Sequence, residues 1–210
     1  RRAAFDSSGT RIVTAADDGT TRILDARTGA ELAVLRGPRA LAKAVAFDRA
    51  GRHVVVASDD GLSGTVRVWD VAKRSVVRIR RHRSGIFDAS VDRDGRRVVT
   101  RKPAGGAEVW DWTTSTVRAL GRAPILVAHA AIAASGDRVF TAELRGRRSL
   151  IWDGKTGRRV VLLRGRWKPH ANGYFGRAEF DPAGARVVVA GVEGAAIWDA
   201  ATGHRLRVLQ

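Results

Sequence analysis

The sequence contains no cysteine, no methionine, a single tyrosine and only five histidines. Without cysteine there is no disulfide and no thiolate metal site, which suits a reducing compartment. The histidines, His53, His82, His129, His170 and His204, are scattered with no His-x-x-x-His spacing, so no metal and no cofactor is expected. No apolar run approaches the ~18 residues of a membrane-spanning helix, and no charged-then-apolar leader is present. These absences point to a cytoplasmic protein. A Gly-x-x-x-x-Gly-Lys phosphate loop is also missing, and Gly61-Leu62-Ser63-Gly64 and Gly105-Gly106 read as hairpin turns. The missing initiator and the abrupt opening at Arg1-Arg2 read as a segment of a longer protein.

Acidic residues are scarce beside basic ones, 21 against 38, for a formal net charge of +17. Lys43, Lys73, Lys102, Lys155 and Lys168 are the only lysines, so the basicity is almost all arginine. Such skew, with abundant alanine, also arises from a GC-rich genome, which weakens net charge as a pointer to a polyanionic partner.

What the chain does have is a repeat. Leu24-Asp25, Trp69-Asp70, Trp110-Asp111, Trp152-Asp153 and Trp198-Asp199 each close a short apolar run and lie 41 to 46 residues apart. That interval is far too long for a helical heptad and marks one supersecondary unit copied along the chain. Each copy opens with a short strand (Ala4-Phe5-Asp6, Val45-Ala46-Phe47-Asp48, Ser90-Val91-Asp92, Ile132-Ala133-Ala134, Glu179-Phe180-Asp181) and a glycine turn. A β-branched run follows, such as Ile12-Val13-Thr14, Val54-Val55-Val56 or Val187-Val188-Val189, as expected of a strand buried on both faces. The aromatic-Asp strand is third. A second turn, clearest at Thr28-Gly29, Thr156-Gly157 and Thr202-Gly203, leads to a fourth.

A four-stranded sheet of about 40 residues cannot bury both its faces alone, so the copies must stack. Radial stacking gives an all-β propeller of five four-stranded blades, with approximate limits 1–37, 38–81, 82–121, 122–165 and 166–210. An unrelated β-sandwich is the alternative, but it does not require the same four strands five times in one order.

The stretches Phe47-Asp48-Arg49-Ala50-Gly51, Asp59-Asp60-Gly61 and Thr65-Val66-Arg67-Val68-Trp69-Asp70 resemble the WD-repeat family, and Asp17-Asp18-Gly19-Thr20 with Ile23-Leu24-Asp25 echoes them. The resemblance covers nearly the whole chain. It implies a propeller of commonly about seven blades and a role as an interaction scaffold. Five copies that begin on an innermost strand and end on an outermost one then read as an arc of a larger propeller. The family's Gly-His pair between blades is replaced by Gly37-Pro38, Arg81-His82, Gly121-Arg122 and Gly165-Arg166. Its buried polar network is therefore incomplete, and apolar packing is expected to carry more of the stability.

In a propeller the links between blades share a rim with the loops between second and third strands, and most of the excess positive charge falls in these segments. The longest link, 164–177, adds Trp167, Tyr174 and Phe175 to Arg166, Lys168 and Arg177, the composition of an interface hot spot. Arg80, Arg81, Arg83, Arg145, Arg147 and Arg148 flank it in the expected partner site. The alternative is that Trp167 and Phe175 fold back on a blade edge and the arginines form a solvated face. The recurring Asp25, Asp70, Asp111, Asp153 and Asp199 read as turn formers, and no enzyme is expected. The sequence thus predicts an interaction scaffold or sensor of a larger bacterial protein, binding an acidic protein or peptide through this basic rim. The resemblance further implies an effector domain or remaining blades elsewhere in the parent protein. A nucleic-acid reader using the same rim is the rival, and packing against other domains of the same protein is a third role.

Overall fold

The computed structural model describes residues 1–103, 105–121, 127–143, 148–163, 177–191 and 194–209. All regular structure among them is β. Blade 1 is β1 (Arg2–Phe5), β2 (Arg11–Ala15), β3 (Thr20–Asp25) and β4 (Glu31–Arg36), and blade 2 is β5 (Leu41–Phe47), β6 (His53–Asp59), β7 (Gly64–Asp70) and β8 (Ser75–His82). Blade 3 is β9 (Asp88–Val91), β10 (Arg97–Arg101), β11 (Ala107–Asp111) and β12 (Thr116–Leu120). Blade 4 follows with β13 (Val127–Ile132), β14 (Arg138–Glu143), β15 (Ser149–Asp153) and β16 (Arg159–Leu162). Blade 5 has β17 (Ala178–Phe180), β18 (Arg186–Gly191), β19 (Gly194–Asp199) and β20 (Arg205–Leu209). Within each blade the strands pair antiparallel in chain order, giving five separate four-stranded sheets.

The first strands pack in succession, β1 beside β5, β5 beside β9, β9 beside β13 and β13 beside β17, so they form the inner wall of a shaft. A cavity of about 480 Å³ inside that wall touches residues of all five. Each of the four joints between blades has its own apolar cluster. Val13, Ile23 and Leu35 meet Phe47, Val54 and Trp69 at the first, and Val55, Val66 and Val68 meet Ile86, Val98 and Trp110 at the second. Val99 and Val109 meet Val139, Leu150 and Trp152 at the third, and Phe140 and Ile151 meet Val187, Val189 and Trp198 at the fourth. Every tryptophan of the repeat thus faces the preceding blade.

The β-branched second strand is buried on both faces in blades 2, 3 and 4, as its composition predicts. β2 alternates instead between buried and half-buried residues, because no sheet among the described residues covers the outer side of blade 1. The blades are also knitted by backbone bonds at the turn after the first strand: Arg49 N–H donates to the Asp94 carbonyl (3.0 Å) and Arg93 N–H to that of Ala134 (3.0 Å). This closeness explains Gly95, which has φ +65° and where a Cβ would collide with the backbone of Phe47 and Asp48 in the preceding blade.

One polar contact of the kind the resemblance implies is present. In blade 4 the Trp152 indole N–H donates to Thr141 Oγ1 (2.7 Å), a fragment of such a network. The histidine that would extend one, His82, is buried at the end of β8, and its Nε2 has no partner among the described residues.

Candidate functional site

The rim that carries the links between blades also carries the loops joining β2 to β3 and β6 to β7. Three of its carboxylates are occupied internally. Asp59 accepts from the Gly61 N–H (2.8 Å) and the Ile86 N–H, tying the β6–β7 loop to the link that follows β8. Asp60 accepts from Leu62 N–H (2.9 Å) and Ser63 N–H (2.6 Å), and Asp18 from the Thr20 N–H and hydroxyl (2.8 and 2.7 Å). These bonds hold the Asp60 and Asp18 carboxyls below the usual range, so both are ionised acceptors shaping their own turns.

Of the arginines expected here, Arg80 and Arg81 lie on β8 and Arg83 directly after it. Arg80 is engaged across the second joint: its Nε and Nη2 donate to Glu108 Oε1 of β11 at 2.7 and 2.6 Å. Lys102 Nζ reaches Glu108 Oε2 (2.5 Å), and His82 Nδ1 stands 3.6 Å from Glu108 Oε1. Burial pushes the Glu108 carboxyl up, but the Lys102 and Arg80 bonds outweigh it and hold the group below its ordinary value. Burial lowers the His82 imidazole further than Glu108 raises it, which favours the neutral ring. Arg80 thus serves as a clamp between blades.

Arg81, Arg83, Arg148 and Arg177 are exposed, and no side chain among them has a hydrogen-bond or ion-pair partner among the described residues. Arg81 is close enough to depress the neighbouring Arg67, whose pKa is lowered first by burial and then by that like charge. The Arg67 guanidinium donates to Thr65 Oγ1 (2.6 Å) rather than to a carboxylate. Arg145, Arg147, Arg166, Trp167, Lys168, Tyr174 and Phe175 lie outside the described residues.

Two features of this end of the molecule were not singled out from the sequence. Glu108 sits two residues before its tryptophan, where the other copies have Arg22, Arg67, Leu150 and Ala196. A lone acid in a core strand, with an arginine run one blade earlier, is a signal that could have found the clamp. The second is the shaft lining, where Arg2, Lys43 and Arg177 border the same cavity as Asp88 and His129. Lys43 is the extra residue at a bulge in β5, and Arg2 Nε donates to its carbonyl (2.9 Å). His129 joins three blades, with Nδ1 3.0 Å from Asp88 Oδ2 and Nε2 3.4 Å from the Ala178 carbonyl.

At the opposite rim the repeated aspartates cap their own turns. Asp25 Oδ1 accepts from Thr28 N–H (2.7 Å) and hydroxyl (2.8 Å), Asp153 does the same with Thr156 (2.7 and 2.9 Å), and Asp199 with Thr202 (2.7 and 2.9 Å). These bonds lower all three carboxyls. No cluster of three or more metal-ligating side chains occurs among the described residues.

Residues 29–70 match the family model described as WD domain, G-beta repeat. A solved structure, the β-propeller domain of Cps50 (Swd1) from Myceliophteria thermophila, superposes with a TM-score of 0.75 over 94% of this chain at 19% identity. The match covers 63% of that domain, so the chain spans less than two thirds of the propeller it resembles. No curated protein matches it by sequence.

Proposed function

We propose that this β-propeller, with its WD-repeat match over residues 29–70, is a non-catalytic interaction module of a larger bacterial protein that holds an acidic protein or peptide on its basic loop rim. One observation carries the reading. The rim's Asp18, Asp59, Asp60 and Glu108 are bound within the molecule, while Arg81, Arg83, Arg148 and Arg177 are left exposed and unpaired among the described residues. The surplus charge therefore faces outward and is available for bidentate bonds to a partner's carboxylates. Arg145, Arg147, Arg166, Trp167, Lys168, Tyr174 and Phe175 belong to the same proposed surface. In it the aromatic residues bury apolar area and the arginines set the register. Arg80 contributes indirectly, by fixing the strand that presents Arg81.

The non-catalytic part of the reading is supported by the repeated aspartates. Their carboxyls are occupied by turn N–H groups and hydroxyls, with pKa values lowered rather than raised, unlike a general acid's. By analogy with bacterial proteins of this kind, an effector domain elsewhere in the parent would be regulated by what the rim binds.

The test is fluorescence anisotropy with a labelled Glu/Asp-rich peptide and, in parallel, a labelled oligonucleotide over a salt series. Peptide binding that falls at least ~10-fold in the R81E/R83E double variant supports the reading. Peptide binding unchanged in that variant overturns it. Oligonucleotide binding that is tighter, and that drops steeply with salt whatever the base sequence, would establish the nucleic-acid alternative instead.

A further inference from the structure

At the third joint, on the rim opposite the proposed partner surface, a turn of blade 4 closes on the outer strand of blade 3. A Cβ at Gly157 of that turn would stand 3.0 Å from Arg118 Cβ and 3.1 Å from the Ala119 carbonyl oxygen of β12. Beside this contact lies a cleft of about 190 Å³. Arg96, Arg97, Arg118 and Lys155 line it together with one carboxylate, Asp111, while the Thr114 and Thr116 hydroxyls add neutral donors. A second carboxylate, Asp137, stands 2.9 Å from Lys155 Nζ. Asp92, the remaining acid beside Arg97, does not line the cleft, and its Oδ1 accepts from the Arg96 and Arg97 backbone N–H groups. Blades 3 and 4 each have a neighbour on both sides, so the cleft belongs to a complete joint.

The cations here are poorly matched by the acids. Arg97 is only 8% exposed, yet its distances to Asp111 and Asp137 are 3.4 and 3.8 Å, long beside the ~2.7–2.9 Å of charge-assisted bonds. Among the described residues no carboxylate pairs with Arg118, whose Nη1 reaches the Val117 carbonyl at 3.4 Å. The Lys155–Asp137 pair is exposed and exchanges partners at little cost. Arg96 alone is closely held, with Nε 2.8 Å from Asp111 Oδ2. The repeat shows that this is no general property of the rim. The second joint comes nearest, with Arg52, His53, Arg78 and Thr113 at the corresponding positions. The first and fourth carry one cation each, Arg11 and Arg138.

We propose that this cleft binds a phosphate group, presented as the free ion or at the end of a small phosphomonoester. Its volume is below the ~300–1,000 Å³ of sites that enclose a whole organic ligand, so it holds a compact anionic group. Arg97 and Arg118 offer planar forks for phosphate oxygens, Lys155 a point charge, and the threonine hydroxyls further donors. A carboxylate, with one charge and two oxygens, would leave part of this set unused.

Isothermal titration calorimetry with inorganic phosphate and with phenyl phosphate, against sodium chloride of equal ionic strength, tests this. Saturable one-to-one binding of either supports the proposal; inorganic phosphate alone marks the free ion as ligand, phenyl phosphate alone the monoester. The R118A/K155A double variant, altered only at exposed side chains, should bind at least ~10-fold more weakly, with circular dichroism confirming its fold. Asp137→Asn releases Lys155 and removes a competing charge, so it should bind phosphate more tightly, and it provides the reading should the double variant fail to fold. Heats no larger than those of chloride overturn the proposal. So does binding that R118A/K155A leaves unchanged, since the phosphate would then be collecting elsewhere on a basic surface.

Discussion

Blades 1 and 3 carry the same aspartate at the end of the first strand and the same arginine at the start of the second, yet the two pairs behave oppositely. Asp6 accepts from the backbone N–H groups of Thr10 and Arg11 (3.0 and 3.1 Å), and Asp92 from those of Arg96 and Arg97 (2.7 and 3.0 Å). In blade 1 the Arg11 side chain turns back, its Nε 2.9 Å from Asp6 Oδ2. In blade 3 the buried Arg97 is drawn to other carboxylates instead, its Nε 3.4 Å from Asp111 Oδ2 and its Nη1 3.8 Å from Asp137 Oδ1. Burial raises both carboxyls. Around Asp6 the bonds from Arg11 and Ser8 overcome it and bring the pKa to about 2, whereas Asp92, under the turn of blade 4, goes up to about 6. The repeat dictates where the backbone goes; the neighbouring blade decides what each side chain does there.

The largest expected effect tests that statement in the core. Phe5 and Phe47 share one repeat position, and only Phe47 has a blade against it. Phe47→Ala should cost about 3–5 kcal/mol in denaturant unfolding, through lost burial and the cavity left behind. Phe5→Ala should cost less than about 1 kcal/mol. Equal losses at the two positions would mean that the blade, rather than the joint, is the unit of stability.

Much of this architecture is legible in the sequence, for a definite reason. Strand alternation, turn glycines and the aromatic-Asp pair are local signals, and five copies of each make the period unmistakable. The site was less legible. Arg80 and Arg81 look alike in the sequence, yet one is bound to a carboxylate 28 residues away and the other points to solvent. No local pattern distinguishes them, and the one clue, the acid at Glu108, lies in the next copy. Likewise Lys43 reaches the shaft through a bulge that its residue type does not announce.

A smaller effect is expected at the second joint, where polar groups share the work that apolar contacts do at the fourth. Glu108→Gln leaves Arg80, Lys102 and the buried His82 without a countercharge. Fully buried, such a loss would cost about 3–5 kcal/mol; with Arg80 and Lys102 about a third exposed, about 2–3 kcal/mol is expected. Replacing Arg80, Lys102 and Glu108 together by methionine should recover most of it, since no charge is then stranded. If the single variant matched wild type, the clamp would be a surface ornament and the apolar cluster alone would hold blades 2 and 3.

The smallest effect returns to the two aspartates and is read as a pH profile. Asp92 has its folded pKa raised from 3.8 to about 6, so the fold favours the protonated form. Its contribution is intact below about pH 4 and is lost as pH rises through 6. Asp6, lowered to about 2, contributes above about pH 4 and loses that contribution as pH falls toward 2. Asparagine keeps the oxygen that caps the turn and removes the charge. Asp92→Asn should therefore stabilise the chain at pH 8, do little at pH 4 and flatten the profile between 4 and 7. Asp6→Asn should destabilise it at pH 8 and converge on wild type as the pH approaches 2. Two identical substitutions at one repeat position would then shift the denaturation midpoint in opposite directions at pH 8. A shared direction would show that Arg97 swings back to neutralise Asp92, and that the two turns are chemically equivalent after all.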